Sequence, residues 1–109
     1  MTDTTVAEIV TFRLNAGTDP DHFAKAAAQM TPFLHRTGAV ISRTLSRDET
    51  GGWVDHITWT SMTAAKDAAS AIMAAPEAAP FMKMIDAQSV NLRHADIHFS
   101  WAPEDHAPH

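Results

Sequence analysis

Polar and apolar positions alternate from Val6 to Leu14, with Val10, Phe12 and Leu14 on one side and Ala7, Ile9, Thr11 and Arg13 on the other. This predicts a strand, broken by Asn15-Ala16-Gly17. Asp19-Pro20 then reads as a helix N-cap followed by proline at the first helical position. Phe23, Ala26, Ala27, Met30, Phe33 and Leu34 recur at helical spacing, so one helix is predicted over Asp19–His35, with Gly38 ending the segment. Ala39–Arg47 and Trp53–Thr60 read as two strands joined by a hairpin loop, Asp48–Gly52. Closure symmetric about Thr50 puts Ile41, Arg43, Leu45 and Arg47 on one face with Trp59, Ile57, Asp55 and Trp53. Ser42, Thr44, Ser46, Val54, His56, Thr58 and Thr60 then take the opposite face, and a slip of one residue would exchange the sides of one strand. Ser61 caps a second helix, Met62–Ala74, which Pro76 stops; Pro80 starts a further turn carrying Phe81, Met84 and Ile85. In the last strand, Ser89–Phe99, the apolar positions switch from Val90 and Leu92 to Ala95, Ile97 and Phe99, which predicts a bulge or a change of partner midway.

The order β-α-β-β-α-β predicts a ferredoxin-like α+β fold, a four-stranded antiparallel sheet with both helices on one face. Residues 6–101 form one domain, 1–5 a frayed N-terminus and 102–109 a solvated tail. A domain of 109 residues buries only about two-thirds of its unfolded surface, so covering the bare sheet face with a second subunit would help.

Composition narrows the function more than the fold. The net charge of −5, with scattered Lys and Arg, argues against nucleic acid or an anionic membrane as partner. Cysteine is absent, which excludes thiolate nucleophiles, cysteine–zinc sites and iron–sulfur clusters; tyrosine is absent too, which removes the phenol as a proton donor. No signal peptide and no apolar run of about 18 residues is visible, so a cytoplasmic location is expected.

Three charges interrupt the apolar rows: Glu8 beside Val10 and Phe12, Arg43 between Ile41 and Leu45, and Asp55 between Trp53 and Ile57. A charge in an apolar layer is costly unless it is paired or wet, so this layer holds either a structural ion pair or a polar pocket. With the first strand between the third and fourth, Glu8 would bridge Asp55 and His94. Such a set could handle protons through Glu8, Asp55 and His94, while Arg43 orients an anionic oxygen. Phe12, Met30, Trp53 and Trp59 would form apolar walls for a small-molecule ligand. His94-Ala-Asp96-Ile-His98 alternates on one strand face, but a neighbouring ligand is lacking, and no metal is expected. Ser42 and His56 lack the sharp nucleophile turn of a hydrolase.

The segments Glu8–Gly17, Gly38–Arg47, Trp53–Ser61 and Pro80–Ile85, in this order and spacing, resemble the antibiotic-biosynthesis-monooxygenase-like group of dimeric α+β barrels. The resemblance implies a homodimer with sheets packed face to face and a ligand between sheet and helices in each subunit. It also implies cofactor-independent oxygenation of a small aromatic or carbonyl compound, without a bound cofactor. Haem-degrading relatives place asparagine, tryptophan and histidine where Phe12, the Ala68–Ala69 stretch and Phe81–Met82 stand here, so haem chemistry is not expected. Polyketide-oxidising relatives use a tryptophan, whose region Trp59 resembles. The alternative is a non-catalytic ligand-binding or interaction module whose buried charges are structural.

Overall fold

The computed structural model describes residues 4–103. Most of the expected N-terminal and C-terminal extensions, residues 1–3 and 104–109, lies outside the described residues. Four strands, β1 (Val6–Phe12), β2 (Val40–Arg47), β3 (Trp53–Trp59) and β4 (Asn91–Asp96), form one antiparallel sheet in the order β2-β3-β1-β4. Four helices, α1 (Pro20–Ala28), α2 (Thr31–Thr37), α3 (Met62–Ala71) and α4 (Ala79–Lys83), cover one face of it. This is the expected ferredoxin-like α+β fold. Its core lies between the layers, where Phe23 meets Phe12 and Trp53 edge-on and stacks against Phe81.

The predicted helix over Asp19–His35 is two helices. Pro32 cannot donate to the Ala28 carbonyl and its ring crowds it, so α1 stops at Ala28 and Pro32 sits in the first turn of α2. The capping residues act as expected. Asp19 accepts from the Asp21 N–H, Ser61 accepts from the Ala64 N–H, and Gly38 closes α2 in the left-handed conformation at φ 68°. The second predicted helix also divides, with α3 ending at Ala71 before a 3₁₀ turn, Ile72–Ala74.

The hairpin register agrees with symmetric closure from Arg43↔Ile57 to Arg47↔Trp53. It departs at the start of β2, where Val40 pairs with Trp59 and Ser42 with Thr58. Ile41 is the extra residue of a bulge and is 55% exposed, so it does not join the core face; Val40 does. In β4 the expected bulge is absent: pairing with β1 runs without a break from Val6↔Asp96 to Thr11↔Asn91. The switch in apolar parity has another cause. Leu92 shares the helix-covered face with Glu8 and Val10, whereas Ala95 shares the open face with Ala7 and Ile9. Beyond the end of β1, Leu14 bridges to Ile85, and the Asp86 N–H donates to the Arg13 carbonyl at 2.9 Å. These bonds draw the segment after α4 across the end of the sheet.

Candidate functional site

Between the sheet and the helices lies a cavity of about 290 Å³. Val10, Phe12 and Ile57 line it from the sheet, Met30, Phe33 and Leu34 from α2 and the turn before it, and Phe81 from α4. Glu8, Arg43, Asp55 and Trp59 are also on its wall. Its rim is formed by Ile72 and Met73 after α3, Met82 in α4, and Val90 and Leu92 at the start of β4, several of them widely exposed. The sequence marked the charged wall but not this rim. Its signal was Val90 and Leu92, whose even parity places them on the cavity side.

Arg43 and Asp55 meet as a planar two-point pair. The Arg43 Nε–H donates to Asp55 Oδ1 at 2.9 Å and Nη2–H to Oδ2 at 2.7 Å. A third bond runs from Nη1–H to the Ala27 carbonyl at 2.8 Å, and the guanidinium lies 5.5 Å from the centre of the Phe81 ring. The Ala27 carbonyl also accepts from the Met30 N–H at 3.2 Å, so it serves both the turn after α1 and the Arg43 guanidinium.

Glu8 and His94 stand directly opposite one another across β1 and β4, with His94 Nε2 2.9 Å from Glu8 Oε1. Glu8 is only 8% exposed. Burial raises its carboxyl above the ordinary range, against the opposing pull of the His94 hydrogen bond and charge; the Asp55 carboxylate raises it further. Glu8 Oε2 accepts no hydrogen bond among the described residues. Trp59 is 1% exposed, and its Nε1–H has no partner among the described residues. A buried donor of this kind costs about 1–3 kcal/mol until something accepts from it.

Three of the expected site residues are placed differently. Trp53 is buried on the helix-covered face but outside the cavity; Phe23 packs on its ring and Arg47 lies 5.8 Å from its centroid, which makes it core. Asp55 is not a free base, because Arg43 occupies both its oxygens. His94 is outside the cavity wall and reaches it only through Glu8. Among the described residues no group of three or more His, Asp or Glu side chains is placed to hold a metal, and no helix is long and apolar enough to cross a membrane.

No protein-family model and no curated protein matches the chain. Solved structures do match it. A Bordetella bronchiseptica protein described as an antibiotic biosynthesis monooxygenase superposes with a TM-score of 0.74 at 14% identity, over 89% of this chain and all 100% of its own. SnoaB, a cofactor-independent oxygenase from Streptomyces nogalater, gives 0.61 at 19% identity over 94% and 99% of the two chains. A hydroxynitrile lyase from Passiflora edulis gives 0.63 at 12% identity over 91% and 98%. At these identities the match establishes a shared fold, that of the antibiotic-biosynthesis-monooxygenase-like group. The same fold carries an oxygenase and a lyase, so the reaction has to be argued from the site.

Proposed function

We propose that the chain binds a small aromatic or carbonyl compound between sheet and helices and oxidises it with dioxygen, without a cofactor of its own. The observation that carries this reading is the cavity itself: an apolar, ring-lined space whose wall holds the Trp59 ring and a carboxylate with a free oxygen. Such a site can take a proton from a bound ring compound at Glu8. The resulting electron-rich anion can reduce dioxygen directly, so no protein group has to change oxidation state. His94 holds Glu8 in place and can pass the proton on, while Arg43 and Asp55 keep the wall rigid. Phe12 and Met30 shape the ring slot. The fold is shared both with SnoaB, a cofactor-independent oxygenase, and with a hydroxynitrile lyase, so the site rather than the fold carries this reading.

The working unit in this reading is a homodimer. Its support is the open sheet face, where Ile9 and Val54 lack helix cover and Ala95 and Ile97 extend the apolar area. A second reading, a non-catalytic binding module, draws on the Arg43–Asp55 pair, whose satisfied geometry is what a structural pair requires.

Native mass spectrometry of freshly purified protein, followed by dioxygen uptake with 1,4-dihydroxynaphthalene, tests these points. A dimer with a co-purified aromatic adduct and uptake above the uncatalysed background supports the enzyme. An adduct without turnover of it or of the naphthalene would favour the binding module. A monomer would remove the proposed assembly.

A further inference from the structure

We propose that the cavity selects a neutral, hydroxyl-bearing aromatic compound and excludes its carboxylate counterpart, with Glu8 rather than Arg43 as the specificity-determining residue. This rests on reading the cavity as a ligand site and adds the charge class of what enters it.

The charged groups on the wall decide the matter. Arg43 would be the natural partner for an anion, but its charge is already matched by Asp55 through two short bonds. Its third bonded N–H is held by the Ala27 carbonyl, and the Phe81 ring lies against the guanidinium. Taken together, the pair presents no net charge to a ligand. Glu8 is the remaining charged group on the wall, with one oxygen engaged by His94 and the other open. A carboxylate entering this space would meet the Glu8 charge and find no uncommitted cation on the wall. The surrounding Phe12, Phe33, Ile57 and Phe81 offer it no hydration. A phenol-type hydroxyl meets the opposite situation, since it can donate to Glu8 Oε2. Burial holds the Glu8 carboxyl above its ordinary range, which agrees with a site built to receive a proton rather than to face a second anion.

The test compares 1-naphthol with 1-naphthoate by isothermal titration calorimetry on the full chain. At about pH 7.5 a phenol-type hydroxyl, with a pKa near 10, is neutral and the carboxylic acid is ionised. Naphthol is expected to bind at least about tenfold tighter than naphthoate, the discrimination that like-charge juxtaposition gives. Equal affinities, or tighter naphthoate, would overturn the proposal. In Glu8→Gln the ratio should collapse toward one, mainly through a gain by naphthoate; an unchanged ratio in the folded variant would also overturn it. The wild-type ratio stands as a test even if that variant does not fold. If neither compound binds, the ligand-site reading falls and this proposal with it, whereas binding of both without preference removes only the selectivity.

Discussion

Replacing Arg43 with methionine tests whether the two-point pair holds the site together. The side chains are 14% and 7% exposed for Arg43 and Asp55, so neither charge is well solvated. Methionine keeps most of the apolar stem but leaves Asp55 uncompensated in an apolar layer, which costs about 3–5 kcal/mol. A domain of 109 residues has a total stability of about 5–15 kcal/mol, so between about a fifth and all of it is at stake. With an unfolding entropy of about 2.1 cal/mol/K per residue, each kcal/mol moves the midpoint by about 4 °C, giving a fall of about 13–22 °C. Asp55→Asn should be costly as well, because it strands the guanidinium. The double variant should be far less damaged than the sum of the two. The assay is thermal and urea unfolding of all four proteins at one fixed concentration, so that any association is held constant. Additivity within about 0.5 kcal/mol would refute the reasoning, since it would mean that the two charges do not depend on each other.

Glu8→Gln gives a pH-dependent outcome. The folded Glu8 carboxyl sits above its ordinary value of 4.5, so the native state binds its proton more tightly than the unfolded chain does. The contribution is present below about 4.5 and is lost as pH rises through the folded value. Urea midpoints measured from acid to neutral pH should therefore shift in favour of the Gln variant as pH increases, and a gap that is flat or moves the other way counts against a buried, proton-retaining Glu8. Gly38→Ala meets no atom within 4 Å, so only its left-handed backbone at φ 68° is penalised, by about 1 kcal/mol in urea unfolding.

The charged wall could be seen in the sequence because strand alternation is strict: a charge among Val10, Phe12, Trp53 and Ile57 has to point into the same layer as they do. The order of strands then put Glu8 opposite His94. Other features depend on facts that no local pattern carries. Pro32 was outweighed by an apolar stripe that continues at the right spacing across the break. Ile41 fits the core pattern, yet the bulge turns it outward, and only the pairing of Val40 with Trp59 reveals this. The parity switch in the last strand signalled two faces serving different purposes rather than an irregular backbone. Trp53 and Trp59 are alike in sequence, since both are apolar residues on one side of β3. Phe23 and Arg47 fill the space around the first, and the second reaches the cavity, a distinction made by neighbours from distant parts of the chain.

The bulge at Ile41 has a further consequence for solubility. β2 lies at the margin of the sheet, where an unpaired row of N–H and C=O groups can recruit a stray strand from another molecule. At its N-terminal end the extra residue throws this row out of step, and Arg47 places a cation at the other end. A newcomer would have to adopt a matching irregularity and tolerate that charge. Deleting Ile41 would restore an even ladder along the full length of β2 and turn a guarded margin into a template for fibrillar association.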